Sequence, residues 1–334
     1  MRIGLIAAFL LATAAAQAWT GEPEVRFLSS AEASAALTGG NERSYYAQLQ
    51  MAEMRAKTGL EFNGLSLEAA RDAARKAYGA ATRDFSDDER AALRDAVESM
   101  QPVLAAKAPL YARTPWCFIK VGAAIEGGLP HTRGRCIVLA ESVVASLAQA
   151  HAKAKFDHAS GVWLLLLHEQ SHVLQRQHPA LFATLYTQVF GFRKAALVPP
   201  GWLRERRVIN PDAPAVEWIY PLGAGAARHW IVPDIELSSL EHPRMPEDFK
   251  IVALGVHEAR HNHWVVDDAI MPAAQTDLES VAGYVDAFPV KGEAFHPNEI
   301  AAQMLAELIA GGKMQNPDHP LWGRTRQWAA QALQ

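Results

Sequence analysis

Cysteine is nearly absent: Cys117 and Cys136 are the only two in 334 residues. That scarcity excludes a four-cysteine metal cluster and a small scaffold stapled by many bridges. The pair also lacks the close Cys-x-x-Cys spacing of a zinc-thiolate site. In an oxidising compartment it reads as one disulfide closing a loop of about twenty residues. An excess of either charge is missing too. With 32 basic against 36 acidic residues the net charge is −4, which gives no electrostatic reason for a nucleic-acid or anionic-membrane partner. Beyond the N-terminus no apolar run approaches the ~20 residues that a membrane span needs. Repeats and low-complexity tracts are lacking as well, so nothing suggests an appended binding module.

What is present begins with a cleavable signal peptide over residues 1–18. Arg2 supplies its charge, residues 3–15 its apolar core, and Ala16-Gln17-Ala18 its cleavage site. The expected mature protein is secreted or periplasmic, and its roughly 315 residues can build a large core. Residues 19–110 read as a helical, alanine-rich N-terminal region, either a cap on the larger domain that follows or a removable pro-segment. One helix there starts at Ser66 and ends at Gly79; another opens on the capping box Ser86 to Glu89. Residues 111–334 read as the main domain. Strands over 116–121 and 136–139 flank Gly127-Gly128 and Pro130, and a hairpin between them would bring the cysteines together. A helix over 141–154 comes next.

The most informative stretch is His168-Glu169-Gln170-Ser171-His172, directly after six apolar residues, 162–167. On a helix, residues four apart share a face about 6 Å from one another. His168 and His172 can therefore each direct a ring nitrogen at one metal ion, while Glu169 stands beside them as a general base. A segment apolar all round marks a buried, rigid helix, and Pro179 ends it. A second His-Glu-x-x-His, His257-Glu258-Ala259-Arg260-His261, has Arg260 beside the would-be metal and a glycine before it. Residues 250–254 and 264–266 read as strand, so this copy is taken as a coincidence on a strand or its edge.

Two histidines leave a catalytic Zn2+ one protein ligand short. His178 lies ten residues after His168, but Gln175 stands where a turn-making glycine would have to bring it back. If the helix continues, His178 is out of reach. Glu299 is the better candidate, in the first turn of a helix opened by Pro297 and closed by Gly311-Gly312. Gln303, one turn on, is placed to brace His168 or His172. Glu307 is the reserve.

His168-Glu169-Gln170-Ser171-His172-Val173-Leu174, Gln177-His178-Pro179 with Leu185-Tyr186 and Gly191-Phe192, Asn210-Pro211-Asp212-Ala213-Pro214, and His296-Pro297-Asn298-Glu299 together resemble secreted bacterial zinc metallopeptidases of the gluzincin type. Pro130-His131-Thr132-Arg133-Gly134 is similar to the same group. The resemblance spans about residues 103–312. It implies an α+β, zincin-like metalloprotease domain, zinc as cofactor, the ligands His168, His172 and Glu299, and Glu169 as base. The last helix is similar to that of lethal-factor-like gluzincins, with Gln303 in place of a second glutamate. The group brings no substrate with it.

The expected function is therefore zinc-dependent hydrolysis of a peptide or protein. Such a reaction needs a donor for the developing oxyanion. Tyr284 is the first candidate, followed by His131 in its polar loop and by His261. The alternatives are a zincin kept as a binding or interaction module, and a zinc hydrolase acting on a non-peptide amide.

Overall fold

A computed structural model describes residues 21–334 apart from 159, 216, 268–274, 291 and 313; the signal-peptide reading falls on residues outside that set. The fold is mixed α and β, with helices packed about two sheets. Among the described residues no helix is long and apolar enough to cross a membrane.

Aromatic and β-branched residues make Trp116–Val121 the central strand of the first sheet. Along one edge it pairs with Val25–Phe27 and, at its far end, with Thr82–Arg83. The N-terminal region is thus mainly helical but adds two strands to this sheet. On the other edge Trp116–Val121 pairs with Cys136–Ala140 in parallel, which corrects the expected hairpin. The intervening residues are long enough for a crossover. Glu126, Gly127 and Gly128 all take positive φ there, turning the chain back to the starting end. The hairpin forms instead between His131–Arg133 and Cys136–Ala140, across Gly134 and Arg135. Gly134 supplies the positive φ that such a two-residue loop requires. Parallel neighbours still place Cys117 and Cys136 side by side, and they form the expected disulfide with Cα atoms 4.4 Å apart.

The N-terminal helices begin where capping chemistry dictates. Ser66 caps Leu67–Ala80, and Ser86 with Glu89 completes the capping box of Asp87–Lys107. Gly79 does not stop its helix. A Cβ there would lie 2.8 Å from Ser34 Oγ and Thr38 Cγ2, so the glycine permits close approach of helix Ser30–Thr38.

The second sheet runs Arg193–Lys194, Trp218–Leu222, His229–Leu237, Phe249–Arg260, His263–Val266, Ala196–Leu197. The second His-Glu-x-x-His sits at the exposed end of Phe249–Arg260. His257 pairs with the Asp267 carboxylate, and the chain turns at Asn262 with positive φ.

One hydrophobic core joins the parts that matter for the site. Phe118, Ile137 and Leu139 of the first sheet, Val97 and Met100 of Asp87–Lys107, Leu166 and Leu167 of helix Gly161–Gln177, and Ile300 and Met304 of helix Pro297–Ala310 all belong to it. The two helices singled out in the sequence are therefore fixed to each other by close packing on their apolar faces.

Candidate metal centre

Helix Gly161–Gln177 ends at His178, whose backbone is non-helical ahead of Pro179. Gln175 is still inside the helix, so His178 becomes its C-cap and takes no part in the centre. Helix Pro297–Ala310 starts on His296, whose ring accepts from Asn298 N–H. These two boundaries set His168, His172 and Glu299 facing one another.

The His168 and His172 Nε2 atoms lie 3.1 Å apart, and each is 3.2 Å from Glu299 Oε2. Among the described residues this is the one group of three or more His, Cys, Asp or Glu side chains whose donor atoms converge closely enough to share an ion. Tetrahedral zinc with bonds of about 2.0–2.1 Å separates its ligand atoms by about 3.3–3.4 Å. The observed triangle is close to that face.

The outward nitrogens fix the tautomers. His172 Nδ1–H donates to Gln175 Oε1 at 2.8 Å, and Gln175 Nε2 donates in turn to the Asn298 carbonyl at 2.8 Å. His168 Nδ1 faces Gln303 Oε1 at 3.3 Å, and Gln303 Nε2 donates to Glu307 Oε1 at 2.8 Å. Both imidazoles thus turn Nε2 towards the centre, where it offers a lone pair once its proton is displaced. Glu307, the reserve ligand, is a support two contacts out. Glu299 uses its other oxygen to accept from Asn210 Nδ2 at 2.6 Å.

The metal-free triad is tied together by imidazole–carboxylate pairing. Burial by itself would push both imidazoles down, yet the Glu299 carboxylate holds His168 above its ordinary value and, with Asp212, lifts His172 to about 10. Burial would raise Glu299, and the two imidazoles hold it well below the carboxylate range instead. Glu169 is pushed up to about 8, by burial first and then by the charge of Asp212. Its Oε2 is buried without a partner. Two ring nitrogens and a carboxylate oxygen within ligand-sharing distance, beside an orphaned acid oxygen, fit a divalent ion once the ring protons are displaced.

Zinc binding should therefore depend on pH. Metal has to displace the protons that hold the triad together, so apparent zinc affinity should rise by about tenfold per pH unit for each proton displaced. His172 remains protonated until about pH 10 in the metal-free protein. Its stabilising pair with Glu299 is therefore fully present below the ordinary histidine value and fades only as pH climbs through 10. Chelator competition between about pH 6 and pH 8 reads the slope. A flat profile would contradict the assignment.

A cleft of about 490 Å³ opens over the centre. Leu164, Leu165, Phe249, Ile251 and Phe295 form apolar walls, and Glu126, His131, Asp212 and Glu293 supply polar ones. His131 reaches the cleft from a buried strand and not from a solvent-facing loop. Its Nδ1–H donates to the Leu129 carbonyl at 3.1 Å, and burial holds the ring below its ordinary pKa. Its Nε2 is buried without a partner, in a ring that lines the cleft. Tyr284 is displaced from the role expected. Its hydroxyl donates to the Ala294 carbonyl at 2.6 Å, and its ring packs among Phe192, Tyr220 and Phe288, away from the cleft lining. His261 lies on the exposed turn that joins Phe249–Arg260 to His263–Val266.

Sequence reasoning misses two supports. Gln175 sits three residues after His172, a helical spacing that makes their contact legible, but it draws notice only as a replacement for glycine. Asn210 reads as a turn residue, and no local pattern connects it to Glu299.

Comparison of the chain with protein-family models, with curated proteins and with solved structures returned no match. The residues of the site therefore carry the functional reading.

Proposed function

We propose that the protein is a zinc-dependent peptide hydrolase, a zincin-like metallopeptidase of the gluzincin type. The observation that carries this reading is the 3.1–3.2 Å triangle of His168, His172 and Glu299 donor atoms, with Glu169 buried one residue along the same helix. The Cys117–Cys136 disulfide supports placing it in an oxidising compartment, secreted or periplasmic.

A zinc ion held by His168, His172 and Glu299 would polarise the scissile carbonyl and lower the pKa of water towards 7. Gln175, Gln303 and Asn210 keep the three ligands oriented, so the centre needs no rearrangement during the reaction. Glu169 accepts the proton of the attacking water at its carboxylate and returns it to the leaving amine nitrogen. The apolar walls of the cleft exclude bulk water, which strengthens each of these interactions.

The test is a panel of internally quenched peptides offered to the purified protein. Cleavage that stops on chelation and returns with zinc supports the reading. An intact zinc-loaded protein that cleaves none of them, yet binds peptide equally well as wild type and as Glu169→Gln, would favour a binding module.

A further inference from the structure

Helix Met51–Thr58, in the N-terminal region, touches the metal centre through a chain of contacts. Glu53 and Lys57, four residues apart on its buried face, are both 0 % exposed. Glu53 Oε1 accepts from Ile209 N at 2.5 Å, and Lys57 Nζ donates to the Ile209 carbonyl at 2.6 Å. Both backbone groups of one residue are thus gripped by one i, i+4 ion pair, itself 3.4 Å long. Lys57 is held in turn by the Tyr45 hydroxyl at 2.6 Å and by Glu126 Oε2 at 3.0 Å. Glu126 also accepts from the Tyr45 and Tyr78 hydroxyls.

The next residue after Ile209 is Asn210, which meets Glu299. Asn210 Oδ1 accepts from Asp212 N at 2.9 Å. Beyond it, Arg176 of the motif helix donates to the Pro211 carbonyl at 3.0 Å, and Asp212 Oδ1 accepts from Thr132 N at 2.8 Å. This short strap is therefore fixed at one end by the N-terminal region and at the other by the motif helix and the edge strand. In between it presents a single amide to the carboxylate of the candidate third ligand.

We propose that Glu53 and Lys57 are positioning residues for the metal centre: by gripping Ile209 they set Asn210 against Glu299, which makes helix Met51–Thr58 of the N-terminal region a support of the site. The proposal rests on the metal-centre reading above. Asn210 occupies Glu299 Oε1, so that Oε2 alone faces the imidazoles. Outer supports of this kind are worth about 10–100-fold in metal affinity. Coupling is reciprocal, so metal at Glu299 should steady helix Met51–Thr58 in return.

The experiment uses the full chain as wild type, Asn210→Ala, Lys57→Met and the double variant. Zinc affinity is measured by chelator competition, with thermal unfolding of the metal-free proteins alongside. Asn210→Ala should weaken zinc by about 10–100-fold. Lys57→Met should weaken it as well, and the double variant should be no weaker than the worse single, because both act through one contact. A folded Lys57→Met with wild-type affinity, or losses that multiply, would overturn the grip. Lys57→Met leaves two carboxylates buried without their cation, so a second measurement guards against misfolding. Hydrogen exchange of the wild type should slow in helix Met51–Thr58 when zinc is added, and unchanged exchange there overturns the proposal as well. A wild type that binds no zinc at all sinks the metal-centre reading itself, a distinguishable result.

Discussion

Replacing Glu169 by glutamine is expected to leave zinc bound and to lower kcat by about 10²–10⁴-fold, the range of a lost general base. Glutamine matches glutamate in shape but cannot take a proton. Glu169 stands outside the triad of donor atoms, so its loss removes no metal ligand. It is 4 % exposed, and its Oε2 has no hydrogen-bond partner, as befits a group that waits for a proton. Burial and Asp212 push it up to about 8 in the metal-free protein. A cation at the adjacent triad acts in the opposite sense and favours the ionised, proton-accepting form. Steady-state kinetics and metal content of the same preparation check both halves. Full turnover in Glu169→Gln would remove it from the mechanism.

His172→Ala is expected to have the largest effect on metal, exceeding the about 10–100-fold that loss of an outer support costs. It should also destabilise the metal-free protein. The His172 side chain is 1 % exposed and paired with Glu299; breaking a buried pair by removing one partner costs about 3–5 kcal/mol. Gln175 Oε1 loses its partner in the same stroke. His178→Ala serves as the contrast. That residue caps the helix outside the triad, so zinc affinity should be unchanged. Equal losses in the two variants would place the metal elsewhere on the helix.

The elements legible in the sequence are those written in local chemistry. The apolar run before His168, Pro179 after it, and the Pro297 and Gly311 borders of the second helix each act within a turn or two of the backbone. The strand character around the second motif is legible for the same reason. Pairing is not. The hairpin expected from two strands and intervening glycines is a parallel pair, because the chain runs back through His131–Arg133 before it enters Cys136–Ala140. Gly79 looks like a helix stop and is a point of close approach. The supports of the centre act over distances that no periodicity records: Asn210 meets Glu299 across 89 residues, and Glu53 and Lys57 meet Ile209 across 156 and 152. Tyr284 is suggested by its chemistry and its place upstream of Glu299, and burial among aromatic rings decides its position instead.

Zinc content of the purified protein tests the central claim most directly, measured in wild type beside His168→Ala, Glu299→Gln and His257→Ala. One zinc per chain is predicted in wild type and in His257→Ala, with none retained in His168→Ala and weakened binding in Glu299→Gln. Zinc that survives His168→Ala and vanishes with His257→Ala would move the centre to the second motif and contradict the site described here.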